Sequence, residues 1–154
     1  MHDPRVLRIS NWLLNYPFAD RLYPGALEAV QRVRQWAPVV ILSDGDAVFQ
    51  PHKVDRSGLW RAVDGHVLIY VHKEQELDDV ERLYPARHYV MIDDKLRILN
   101  AMERRWGDRL TTVFAKQGHY AADPEALAKY PHGDGQLEHI GDLRRYEISD
   151  LLRQ

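Results

Sequence analysis

Residues 39–46 read VVILSDGD, and this stretch decides the class of fold. Its four consecutive apolar residues are typical of a short strand buried on both faces of a sheet. The run stops at Ser43, and Gly45 within the following polar residues marks a tight turn. The stretch therefore predicts a parallel strand that ends in a turn, and α/β proteins place their ligands at such ends.

Three further segments combine a short apolar run with polar residues at its end, and helical patterns lie between them. They are 67–71 before the helix that follows Lys73, 88–92 before the Asp93-Asp94 pair, and 111–114 shortly before Lys116. Strand and helix patterns that take turns predict a three-layer α/β/α, Rossmann-like fold with a mainly parallel sheet. At the N-terminal end, the apolar residues of 6–14 are spaced for one helix face, which predicts a helix there.

The predicted strand ends carry groups suited to phosphate chemistry. Ser43 offers a hydroxyl, and the turn through Asp44 and Gly45 offers backbone N–H groups that can approach a phosphoryl oxygen. Lys73 offers a compact cation. Asp93 and Asp94 offer hard oxygen ligands, a suitable though incomplete set for a Mg²⁺ ion that keeps several waters. Because parallel strands end at the same edge, the sequence predicts one site for an anion and a metal.

Each of these residues also has a purely structural interpretation. Ser43 and the acidic residues near Gly45 are ordinary turn formers, and a lysine that opens a helix is usually a solvated charge. Asp94 could be the N-cap of a helix that begins at Lys95. The functional interpretation depends on the order of the motifs along the chain rather than on any one of them.

The ordered motifs VVILSDGD, YVHKE and YVMIDD, followed by TTVFAKQGH, resemble those of the haloacid dehalogenase superfamily over roughly residues 22–120. The resemblance implies a Mg²⁺-dependent phosphatase that acts through an aspartyl-phosphate. Ser43 would hold the transferring phosphoryl group, and Lys73 would neutralise the nucleophile and the phosphate. Asp93 and Asp94 would bind Mg²⁺. The ligand would be phosphate or a small phosphorylated substrate.

One element of the family pattern is not found. The family's nucleophile is an Asp in an Asp-x-Asp motif after a first strand, but upstream of Ser43 only Asp3 and Asp20 occur, and neither follows a strand pattern. We therefore expect the first strand and most of the cap to be missing, with residues 1–20 a cap remnant or N-terminal extension. Residues 21–154 would form the core.

A missing first strand has a structural consequence, because in the family it lies between the strands that end at Ser43 and Asp93. Without this strand, the sequence predicts a gap between two strand edges that have no partner. The two strands could close up on each other or pair with a second copy or another chain; otherwise the fold would be only marginally stable. We expect the chain alone to be inactive. The alternative, which the absent nucleophile favours, is a non-catalytic module that binds phosphate at the remaining site or pairs with a protein partner through these edges.

Composition narrows the remaining functions. The 154 residues, 45% of them hydrophobic, suit one compact core, and a formal net charge of −2 gives no basic face for nucleic acid. The sequence contains no cysteine, which excludes disulfides and thiolate chemistry and fits a cytoplasmic protein. No apolar run reaches membrane-spanning length. The eight histidines lack paired ligand spacing; His72 and His119 lie nearest to strand ends.

Overall fold

The computed structural model describes residues 11–14, 23–44 and 58–151, and its strands form one parallel sheet. The strands are β1 (Asn11–Leu14), β2 (Val39–Asp44), β3 (Val67–Tyr70), β4 (Tyr89–Asp93), β5 (Leu110–Ala115) and β6 (Gly135–Leu137). They are ordered β3-β2-β1-β4-β5-β6, and each neighbouring pair is parallel. The carboxyl ends of these strands therefore share one edge of the sheet.

Helices connect the strands in the described part of the chain. They are α1 (Ala26–Arg34), α2 (Leu59–Ala62), α3 (Leu77–Leu83), α4 (Leu96–Trp106), α5 (Pro124–Lys129) and α6 (Ile148–Leu151). Short 3₁₀ turns precede or follow several of them, including Lys73–Gln75, Tyr120–Ala122 and Ile140–Arg145. None of the described helices is long and apolar enough to cross a membrane.

The sheet is covered on both faces, which makes the fold three-layered. Side chains of a strand alternate between faces, so Ile41 of β2 packs with α1 and the 140–145 turn, whereas Leu42 packs with α3 and α4. Aromatic packing strengthens the second face, where the rings of Tyr89 and Trp106 stack with centroids 4.1 Å apart. The predicted α/β/α fold is confirmed.

The four strands predicted from apolar runs are present as β2, β3, β4 and β5. The predicted starts of β2 and β3 are correct, and the other boundaries differ by one or two residues. Gly107, with a φ of 54°, ends α4, a position where glycine is common. Asp123 caps α5, because its side chain accepts a hydrogen bond from the Glu125 N–H at 3.1 Å. The local sequence therefore determines these four strands and these two helix ends.

The N-terminal prediction is wrong where it can be compared. Residues 11–14 form strand β1 rather than the end of a helix, and β1 lies between β2 and β4, where a gap was expected. Leu13 pairs with Val40 on one side and with Met91 on the other. The physical reason is tertiary: the unpaired N–H and C=O groups of β2 and β4 outweigh a helical pattern only a few residues long.

Two related predictions fall on other parts of the N-terminal region. Residues 6–10 of the expected helix, and the boundary between residues 20 and 21, lie outside the described residues.

Strand β6 was not predicted at all. Its sequence, GQL, carries no apolar run, and it joins the sheet at an edge beside β5.

Candidate active site at the carboxyl edge of the sheet

The polar residues predicted for the site lie at the carboxyl ends of adjacent strands. Ser43 and Asp44 end β2, and Lys73 begins the 3₁₀ turn that follows β3. Asp93 ends β4, with Asp94 directly after it. The structure brings Asp44, Lys73 and Asp93 into one network of hydrogen bonds and an ion pair. Gly45, predicted as part of the same turn, lies outside the described residues.

A buried ion pair is the central feature of this network. The Nζ of Lys73 lies 2.7 Å from the Oδ2 of Asp93, and both side chains are 0% exposed. A lone buried charge would be strongly disfavoured, so each of these groups stabilises the other in its ionised form. The expectation of an ordinary solvated lysine is therefore wrong for Lys73, whose ammonium points into the protein.

Asp44 links the end of β2 to the segment after β3. Its Oδ1 accepts a hydrogen bond from the backbone N–H of Lys73 at 2.8 Å, and its Oδ2 lies 3.9 Å from the Nζ of Lys95. Because the main-chain bond fixes where the Lys73 segment starts, Asp44 helps to aim the Lys73 side chain. Ser43 is buried, and its hydroxyl donates to the carbonyl oxygen of Asp44 at 3.2 Å.

Asp93 and Asp94 place two carboxyl groups in a buried position. The Oδ1 of Asp93 accepts the backbone N–H of Lys95 at 2.8 Å. Asp94 is 6% exposed, and burial, followed by the negative charge of Asp93, raises the pKa of its carboxyl group to about 7. The N-cap of α4 is Lys95, so Asp94 is not the helix cap that its position in the sequence allowed.

Gly118 brings a loop close to Asp94. A Cβ added at this position would lie 2.6 Å from the hydroxyl oxygen of Tyr23 and 3.5 Å from the Oδ2 of Asp94. Its φ of +96° is also a conformation that other residues rarely adopt. Glycine is therefore required here, and it lets the main chain after β5 approach the carboxyl group.

Sequence reasoning missed several residues of this region. Lys95 could have been noticed because it directly follows the acidic pair, whereas Tyr23 and Gly118 come close only through the tertiary fold. The histidines closest to strand ends, His72 and His119, are exposed. His119 contacts the ring of Tyr120, at 5.4 Å between centroids.

Comparison with solved structures relates this chain to a known family. The crystal structure of a haloacid dehalogenase-like hydrolase from Burkholderia xenovorans LB400 is 59% identical to this chain, with a TM-score of 0.82. Both sequence and fold support the haloacid dehalogenase superfamily. The alignment covers 90% of this chain but 63% of the Burkholderia chain, so the chain spans less than two thirds of that relative.

A second haloacid dehalogenase-like family hydrolase, from Xanthomonas campestris, shares the fold. It is 23% identical, with a TM-score of 0.60 over 79% of this chain and 51% of its own. At that identity the similarity concerns the fold alone. No protein-family model and no curated protein matches the sequence.

Haloacid dehalogenase resemblance implies a Mg²⁺ ion, and the acidic residues fit one in part. Among residues 11–14, 23–44 and 58–151, no group of three or more histidine, aspartate or glutamate side chains is arranged to hold a metal. Asp93 and Asp94 still offer two adjacent carboxyl groups, and Mg²⁺ commonly binds one or two carboxylates and several waters. A cation beside Asp94 would also offset the repulsion that raises its pKa.

Proposed function

We propose that this chain carries the phosphate-binding and Mg²⁺-binding part of a phosphomonoester hydrolase site. The observation that supports this most is the fully buried pair of Lys73 and Asp93 at the carboxyl edge, beside Ser43 and Asp94. A protein buries a lysine and an aspartate together at some cost, and functional sites are where such arrangements concentrate. Similarity to a haloacid dehalogenase-like hydrolase agrees with this proposal.

Each residue has a definite role in the proposal. The Ser43 hydroxyl and the N–H groups of the turn at Asp44 and Gly45 bind phosphoryl oxygens. The ammonium group of Lys73 lowers the repulsion between an anionic ligand and the carboxylates around it. Asp93 and Asp94 hold Mg²⁺, which, when bound, neutralises charge on the phosphoryl oxygens.

The nucleophile is the part of the mechanism that the sequence does not supply upstream of Ser43. Strand β1 ends at Leu14 and is followed in the sequence by Asn15, an amide that is not a carboxylate nucleophile. An aspartyl-phosphate cannot form at this position. We therefore propose that the 154-residue chain binds phosphate but does not turn over phosphomonoesters by itself.

The alternative of a non-catalytic module takes two forms. A module that pairs with a protein partner through open strand edges is less well supported, because β1 pairs with both β2 and β4. A module that binds phosphate without catalysis agrees with the absent nucleophile and with the proposal that this chain binds phosphate without turnover.

The test combines binding with turnover. With MgCl₂ present, we expect inorganic phosphate to raise the melting temperature, because a ligand that binds the folded state stabilises it by about 2.7 kcal/mol at a hundred times its Kd. Ser43→Ala and Lys73→Met should weaken this response, while Lys116→Gln, at an exposed lysine paired with Glu138, should not. Circular dichroism reports whether Lys73→Met is folded, and Ser43→Ala serves if it is not.

Turnover is measured as phosphate released from a panel of phosphomonoesters. We expect none above a blank without protein. Release that depends on Mg²⁺ and is lost in Ser43→Ala would show that the chain is itself an enzyme. A melting temperature that phosphate leaves unchanged, with and without Mg²⁺, would rule out the proposed phosphate site.

A further inference from the structure

A cavity of about 320 Å³ lies next to the candidate site, at the start of α4 and beside α5. Lys95 lines this cavity and also borders the site, because its Nζ lies 3.9 Å from the Oδ2 of Asp44. The same ammonium group lies 4.3 Å from the ring centroid of Tyr120, which lines the cavity. Lys95 therefore borders both the candidate site and the cavity, and a ligand bound at the site could extend into the cavity.

Cations outnumber carboxylates in the lining of this cavity. The cations are Lys95, Arg97 and Lys129, and the acidic residues are Asp123 and Glu125. Asp123 is engaged as the cap of α5, where it accepts the Glu125 N–H at 3.1 Å, and Arg97 is engaged with Glu74 at 2.8 Å. The charged groups that a ligand would meet are therefore the two lysines and the carboxylate of Glu125.

Lys129 is the cation with the most freedom to change partners. Its Nζ lies 5.3 Å from the ring centroid of Tyr130, a weak cation–π contact at an exposed position. No carboxylate in the described part of the chain lies within ion-pair distance of it. An anionic group that enters the cavity could therefore bind Lys129 without breaking an existing salt bridge.

We propose that this cavity binds a second anionic group of a phosphorylated ligand, so that the preferred ligand carries a phosphoryl group and a carboxylate. The inference rests on the proposed function, because the phosphoryl end must occupy the site at Ser43 and Lys73. Lys129 contacts the second anion, and Lys95 lies between the two negative groups.

The experiment uses phosphonates, which bind like phosphomonoesters but cannot be hydrolysed, so it does not depend on turnover. Calorimetric titration of the whole chain with MgCl₂ compares ethylphosphonate, which has one anionic end, with phosphonoacetate, 3-phosphonopropionate and 4-phosphonobutyrate. We expect one chain length to bind about tenfold or more tighter than ethylphosphonate, since a charge-assisted hydrogen bond contributes about that factor. Lys129→Gln should remove this gain. Lys116→Gln, a surface lysine outside the cavity, should leave every Kd unchanged.

The outcomes separate the two proposals. Ethylphosphonate binding with no gain from any added carboxylate overturns the second anion site and leaves the phosphate site intact. A gain that survives Lys129→Gln overturns the role given to this cavity. If ethylphosphonate does not bind, the proposed function fails, and the inference fails with it.

Discussion

Replacing Lys73 by methionine tests the buried ion pair directly. Methionine keeps most of the side-chain volume but removes the ammonium group that lies 2.7 Å from the Asp93 carboxylate. Because both side chains are 0% exposed, water cannot take over the solvation of the remaining carboxylate. Breaking a buried pair by removing one partner costs about 3–5 kcal/mol, a large fraction of the roughly 5–15 kcal/mol that stabilises a typical domain.

The chain provides a matched control in Lys116 and Glu138. Their charged atoms are also 2.7 Å apart, but their side chains are 38% and 66% exposed. Surface pairs of this kind contribute about 0–1 kcal/mol, so Lys116→Met should be nearly neutral. Comparing Lys73→Met with Lys116→Met therefore separates the effect of burial from the effect of the distance between the charges.

Urea denaturation followed by tryptophan fluorescence measures both effects. With a urea dependence of about 1–3 kcal/mol/M, the Lys73→Met midpoint should fall by about 1–5 M, or the variant should not fold. The double variant Lys73→Met/Asp93→Leu, which leaves no unpaired charge at this pair, should recover part of the loss. Equal costs for Lys73→Met and Lys116→Met, or a double variant less stable than Lys73→Met, would refute the reasoning.

Three further predictions follow from the site and its surroundings. The pKa of Asp94 is raised from 3.8 to about 7, so between these pH values the folded state retains a proton that the unfolded state releases. The free energy of unfolding should therefore fall as the pH rises from about 4 to about 7. Asp94→Asn should flatten this dependence when unfolding free energies are measured across pH. Gly118→Ala should lower the unfolding free energy by about 1–3 kcal/mol. The loss should be smaller in a Tyr23→Phe background, which lacks the hydroxyl oxygen that the new Cβ would meet, and equal losses in the two backgrounds would contradict this. Burial lowers the pKa of His88 below 6.5, so stability should be lost as the pH falls below that value, and the same loss in His88→Gln would contradict this assignment.

Much of the fold could be predicted because the apolar runs, though short, are continuous and end sharply. Residues 39–42 and 89–92 are buried on both faces, and a continuous apolar segment followed by polar residues is the pattern such strands produce. The candidate site could be predicted for a related reason. The ends of parallel strands converge, so residues far apart in sequence, such as Ser43 and Asp93, were expected near one another.

The parts that could not be predicted depend on contacts between distant segments. The four residues of β1 are compatible with a helix or a strand, and only pairing with β2 and β4 decides between them. The burial of Lys73 is also a tertiary effect, since a lysine after a strand gives no sign of which way its side chain points. Tyr23 approaches Gly118 from a segment nearly a hundred residues away in the chain.

Strand β1 also determines which parts of the backbone can open independently. It hydrogen-bonds to β2 on one side and to β4 on the other, and it is the link between the β3-β2 and β4-β5-β6 portions of the described sheet. A strand of only four residues usually opens easily and exchanges its amide protons quickly. Here, opening β1 would divide the ladder in two, so its amides should be protected from hydrogen exchange almost as well as those of β4.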